Sequence, residues 1–193
     1  MISIIGLGNA ASSIAERFKS IKNYKVYLLN SKIERHSKYK RKLQVFDTPE
    51  EYEKKIPNLK KFFAEITDRV QVFIVGSSMS SNYSLGVLQQ LKNKQIEVFY
   101  VKPDSELLTG IPKLMDRVVF SVLQQYARSG LLKSLTVVSN ELLENHLGNV
   151  PIKKYYDTLN DSIFSTIHYL NFFEHNEPEI GMVSKPLDVC RIR

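Results

Sequence analysis

Cysteine is almost absent: the 193 residues contain one, Cys190, so no disulfide framework can form within the chain. No Cys or His cluster has the spacing of a zinc site, which excludes a zinc-binding module. The four histidines, His36, His146, His168 and His175, stand apart from any Ser/Asp or Cys arrangement, and no hydrolase is implied. The chain opens on Met1-Ile2-Ser3-Ile4-Ile5, without the basic flank and apolar stretch of a signal peptide. No apolar run approaches membrane-spanning length, so the expectation is a cytoplasmic protein with no membrane insertion. Internal repeats, low-complexity linkers and breaks in composition are also lacking, which predicts a single domain.

What is present is enough apolar content, 43%, for one sizeable core. Short β-rich runs at 2–5, 25–29, 43–46, 70–75, 96–101 and 134–138 alternate with helical patterns at 10–20, 49–68, 84–94 and 113–129. That alternation predicts an α/β fold with a doubly wound, mostly parallel sheet. The strands are apolar throughout, as expected when both faces are covered. The expected strand order is 3-2-1-4-5-6, which puts strands one and four at the switch point. A long helix opens at Pro151 and runs to about Glu174, with Ile152, Tyr156, Leu159, Ile163, Ile167, Leu170 and Phe173 as its apolar stripe. At 1.5 Å per residue it is about 36 Å long, enough to cross the domain. The expected organisation is an α/β domain over 1–150, the long helix over 151–175, and a tail loop over 176–193.

Two turns of small residues carry the candidate chemistry. The first strand runs into Gly6-Leu7-Gly8-Asn9-Ala10-Ala11 and then a helix. Glycines there let backbone approach a ligand, and the helix start offers unpaired N–H groups to an anion. The spacing also fits a dinucleotide fingerprint with alanine in the third place. An acidic residue should then end the second strand to hold a ribose diol, but the chain has Asn30-Ser31-Lys32. This disfavours NAD and leaves NADP, with Lys32 or Arg35 on the 2′-phosphate. The fourth strand ends in Gly76-Ser77-Ser78-Met79-Ser80-Ser81-Asn82. The hydroxyls of Ser77, Ser78, Ser80 and Ser81 and the following helix start suit phosphate oxygens; an ordinary N-cap loop is the plainer alternative.

The net charge is +7, and the excess is partly local. Lys32, Arg35, Lys38, Lys40, Arg41 and Lys42 form a basic run that reads either as a solvated face or as a patch for phosphates of nucleic acid, the latter not favoured.

The order of these motifs resembles the FtsZ and tubulin family. GLGNAASSIAERF is similar to that family's first glycine loop with its Asn-Ala, and VYLLNSKI falls where FtsZ has its second strand. FIVGSSMSSNYSLGVLQQL stands in for the glycine-rich phosphate signature, IEVFYVKP resembles the strand ending Thr-Lys-Pro, and LTVVSNELLENH resembles the segment ending Pro-Asn-Asp-Arg-Leu-Leu. YYDTLNDSIFSTI is similar to the central helix. The resemblance covers the nucleotide domain and central helix of the family. It implies GTP or GDP as ligand, with Asn9 and Asn160 on the guanine edge, Tyr156 stacked on the base and Asn140 near the ribose. Residues i and i+4 share a helix face, so Tyr156 and Asn160 can meet one base together; a core tyrosine is the alternative for Tyr156. It also implies self-association or assembly with a partner protein, as in a cytoskeleton. In the family the loop after the central helix supplies acidic groups that activate water. Here that region offers Asp188, with Ser184 and Pro186 where Asn and Asp are expected, so the expectation is at most a weak GTPase. A Rossmann-type NAD(P)-dependent oxidoreductase is the competing reading.

Overall fold

The computed structural model describes residues 1–104, 106–148, 150–175 and 192–193. Six parallel strands form one sheet in the order β3-β2-β1-β4-β5-β6. They are β1 (Ile2–Leu7), β2 (Tyr24–Asn30), β3 (Lys40–Lys42), β4 (Arg69–Val75), β5 (Gln95–Lys102) and β6 (Ser134–Ser139). β1 and β4 are parallel neighbours, with Ser3 opposite Val70 and Leu7 opposite Ile74, so the order in which strands are added reverses between them as expected. All six residues of β1 are buried, which is why its sequence shows no polar alternation.

Successive residues feed opposite faces of the sheet. Ile5, Leu7, Val72 and Ile74 enter one core, closed by α3 (Ser84–Gln90), α4 (Gly110–Ser129) and the aromatic residues Tyr52 and Tyr83. Ile4, Phe73 and Phe99 enter the other, closed by Ala11, Ile14 and Ala15 of α1 (Asn9–Arg17) and by Ile163 and Ile167 of α6 (Tyr155–His175). The two remaining α-helices among the described residues are α2 (Pro49–Lys54) and α5 (Asn140–Leu147). No described helix is long and apolar enough to cross a membrane.

Four elements differ from expectation. The third strand is Lys40–Lys42, not 43–46. An edge strand requires backbone pairing more than apolar side chains, and charge on an edge discourages further pairing. Leu43 is instead buried from the loop, and Phe46 packs against the same core. Of the helical stretch expected over 49–68, in one piece or two, only 49–54 forms an α-helix, which stops shortly before Pro57, whose ring removes a backbone donor. α5 was not expected, and it is capped by Ser139, whose hydroxyl accepts the Leu142 amide at 3.3 Å. The long helix begins at Tyr155 after a 3-10 turn over Ile152–Lys154, so Ile152 lies outside it.

The buried stripe of α6 is also different: it is Leu159, Ile163, Ile167 and Asn171, while Leu170 and Phe173 are exposed. A polar network explains why an asparagine is buried. Gln71 Nε2 donates to Asn171 Oδ1 at 2.6 Å, and Asn171 Nδ2 returns a bond to Gln71 Oε1 at 2.9 Å. Gln71 also donates to Glu97, which is buried against Arg69 at 2.9 Å and Lys133 at 3.1 Å. Arg69 reaches on to Glu174. At its other end α6 is held to α1 by Arg17, which pairs with Asp157 and Asp161. Asn171 meets Gln71 and Glu174 meets Arg69, so α6 runs antiparallel to β4 and ends near the amino edge of the sheet.

Candidate functional site

The first turn is built by close packing. A Cβ on Gly6 would lie 2.7 Å from Ser12 Cα, so only glycine lets α1 settle onto β1 here. Gly8 has φ +99°, a conformation L side chains rarely adopt, and it precedes α1 without providing a side-chain cap. The amides of the first helical turn are thereby left for water or a ligand, at the positive end of the helix dipole. Ala10 is exposed beside them.

The second turn folds against the first. A Cβ on Gly8 would lie 3.1 Å from Ser80 Cβ and 3.5 Å from Ser78 Oγ. Ser77 has φ +58°, the one positive φ among described non-glycine residues, so local strain sits in this turn. Gly76 is buried with Tyr100 and Asp116 immediately behind it; a Cβ there would lie 2.5 Å from the Tyr100 hydroxyl. Burial, and then its hydrogen bond to Asp116, raise the pKa of Tyr100 far above its ordinary value. The serines are not equivalent. Ser81 and Ser84 turn their hydroxyls onto the carbonyls of Ser78 and Ser81, which leaves Ser78 and Ser80 as the side chains next to Gly8. Ser78 Oγ and Asn82 Nδ2 are buried without a hydrogen-bond partner.

Asn9 donates through Nδ2 to Ser31 Oγ at 3.4 Å, while its Oδ1 is buried and unpartnered. Asn30, where a dinucleotide enzyme would need a carboxylate, is buried and donates to Ser12 Oγ at 2.8 Å. It ties β2 to α1. Lys32 and Arg35 are exposed. Asn140 is the first residue of α5 and half-buried at the end of β6, on the same sheet edge but three strand positions from β1.

Tyr156 and Asn160 extend the face of α6 that carries Ile163, Ile167 and Asn171, by the four-and-three spacing of a helix. The lower part of that face is buried, but Tyr156 is 76% exposed and Asn160 half-buried. Asn171 is bonded at the height of Gln71. Asn160 lies between Asp157 and Asp161, the two carboxylates that Arg17 of α1 holds, so this part of α6 packs alongside α1.

Sequence reasoning missed Tyr100 and Asp116, whose place behind Gly76 has no local signature. It also missed a cavity of about 230 Å³ between α5 and the start of α6, lined by Glu144, Leu147, Tyr155 and Leu159 among others. There the Tyr155 hydroxyl donates to Glu144, and its pKa is pushed up to about 12 by burial and by that carboxylate.

No family model matches the sequence, and no curated protein matches it. Among solved structures, an empty FtsZ dimer from M. jannaschii superposes with a TM-score of 0.73 at 16% identity, over 93% of this chain and 57% of that one. The chain thus spans little more than half the length of that FtsZ. At this identity the likeness establishes the fold: an FtsZ-like α/β sheet with the long helix after its last strand.

Proposed function

We propose that this chain is a divergent relative of FtsZ and tubulin that binds a guanine nucleotide weakly across the Gly8 and Gly76 turns, takes part in assembly, and hydrolyses little or none. The observation carrying this reading is the pair of buried, unpartnered polar atoms beside Gly8, Asn9 Oδ1 and Ser78 Oγ. Buried polar groups are rarely left unpaired, and in a crevice they mark where a ligand or water belongs. In this reading 1–150 is the nucleotide-binding unit and 151–175 its central helix. Asn9 Oδ1 is an acceptor suited to the ring N–H and amino donors of guanine, and Asn160 supports the same edge. Tyr156 stacks on the base, and Asn140 lies toward the ribose. The α1 amides, Gly6, Gly8 and Ala10 line the first phosphate turn, and Gly76, Ser77, Ser78, Ser80 and Ser81 the second.

Serines in place of glycines around phosphates argue for modest affinity. Asp188, Ser184 and Pro186, on which the hydrolysis expectation rests, lie outside the described residues, as does Cys190 and most of the tail. The FtsZ neighbour is a dimer, which supports self-association as the mode of assembly.

Calorimetric titration with GTP, GDP, NADPH and NADH separates the readings. The guanine nucleotides should bind and the dinucleotides should not, and Asn160→Ala should weaken GDP by about 1–3 kcal/mol without unfolding the chain. NADPH binding abolished by Lys32→Ala and Arg35→Ala would reverse the assignment in favour of a dehydrogenase. GTP turnover rising steeply with protein concentration would overturn the absence of hydrolysis.

A further inference from the structure

The basic run from Lys32 to Lys42 has no part in the nucleotide reading, and it borders a second concavity. Tyr27, on β2, is 1% exposed and stands edge-on to the rings of Tyr39 at 5.4 Å and Phe62 at 5.6 Å. Its hydroxyl is buried and has no hydrogen-bond partner. The residue lines a cavity of about 230 Å³ together with Lys38, Arg41, Lys61, Phe62 and Glu65. Tyr27 belongs to the core on the sheet face opposite α1 and α6, so this cavity is separate from the Gly8 crevice.

Its charges are not equivalent. Lys38 and Glu65 pair at 2.7 Å and largely neutralise each other. Arg41 and Lys61 have no ion-pair partner among the described residues. Burial, then the fields of Tyr39 and Glu65, hold the Tyr27 phenol above its ordinary pKa against the opposing pull of Lys38. At neutral pH it is a protonated donor. A guanidinium fork, an ammonium and a phenolic O–H are complementary to a compact dianion with several oxygens, more than to a single carboxylate. The cavity has room for about seven waters, more than one phosphate fills, and the Phe62 ring supplies apolar wall for an organic remainder.

We propose that Tyr27, Arg41 and Lys61 form a second ligand site, which takes the phosphate group of a small phosphomonoester. The enclosed hydroxyl distinguishes it from a polyanion surface, where exposed cations in a row suffice.

The test is titration of the full chain with glycerol phosphate and with inorganic phosphate at constant ionic strength, followed by residue-resolved amide shifts. Saturable shifts at 37–41 and 61–65, with the monoester tighter than free phosphate, are expected. Arg41→Ala should weaken binding about tenfold and the near-isosteric Tyr27→Phe about fivefold. Tyr27→Phe should also raise the melting temperature, since it removes a buried hydroxyl that lacks a partner in the free protein. Unchanged affinity in Tyr27→Phe, or shifts confined to 6–11 or spread over all lysines, would overturn the proposal. So would tighter binding to an oligonucleotide or to phosphatidic acid vesicles that is insensitive to Tyr27→Phe.

Discussion

Asn171→Ala tests whether α6 is held in register by the amide pair beneath it. In the folded chain Asn171 and Gln71, 4% and 1% exposed, exchange two hydrogen bonds, and Asn171 Nδ2 also reaches Tyr24 Oη at 3.3 Å. Truncation leaves Gln71 Oε1 without its donor, while Gln71 Nε2 keeps Glu97 and Tyr24 keeps His168. One buried acceptor left unsatisfied costs about 1–3 kcal/mol. Alanine's better helix propensity returns up to about 0.7 kcal/mol. The net loss should be about 1.3 kcal/mol, or about 3–5 °C in Tm for a chain of this size. Urea denaturation of the wild type, Asn171→Ala, Gln71→Leu and the double variant reads it directly. The double variant should lose less than the sum of the singles, by about 1 kcal/mol or more, because the two amides serve each other. A single-variant loss below about 0.5 kcal/mol, or no larger than that of exposed Leu170→Ala, would refute the role of the pair.

Acid should loosen the same end of the helix. Burial, then the charge of Arg69, hold the His175 imidazole below its ordinary 6.5, so the unfolded chain binds its proton first and stability falls as pH drops below that value. Burial opposes ionisation of Glu174, yet Arg69 and Lys133 hold its carboxyl below its ordinary 4.5, and a further loss follows below that pH. His175→Gln should flatten the stability profile between about pH 7 and pH 5 while leaving the lower step, as measured by urea midpoints across pH. Gly76→Ala, which drives a methyl group toward Tyr100, Pro103 and Asp116, should cost about 1–3 kcal/mol in thermal melts; an unchanged Tm would mean the turn yields freely. Ser77→Gly should stabilise by about 0.5 kcal/mol, as relief of the left-handed backbone exceeds the added entropy of the unfolded chain. A loss of stability would assign the serine side chain a contact of its own.

Five strands and the switch point were legible because buried parallel strands announce themselves as apolar runs. β3 was not, because its residues are charged and pairing to Leu28–Asn30 uses backbone alone. Apolar periodicity likewise promoted Leu170 and Phe173 to the buried face of α6 and overlooked Asn171, whose burial depends on Gln71 one hundred residues away. At the candidate site the two small-residue turns were readable from their glycines. That Ser80 rests on Gly8, and that the Ser81 hydroxyl is taken up by the Ser78 carbonyl, depends on how the 3-10 turn over Met79–Tyr83 meets the first turn.

The margins of the sheet bear on how copies of this chain could join. At one margin β3 presents Lys40, Arg41 and Lys42, so two copies meeting strand to strand there would bring like charges together. At the other, Ile192 bridges Leu135, Arg193 N donates to Leu135 O at 2.9 Å, and Val137 N donates to Arg193 O at 2.8 Å. Lateral growth into a continuous β-ribbon is therefore repelled on one side and obstructed on the other. Any polymer would grow through the loop-bearing ends of the strands or through helix faces. Its repeat would then be set by the height of a whole domain, tens of ångströms, in place of the roughly 4.8 Å spacing of stacked strands.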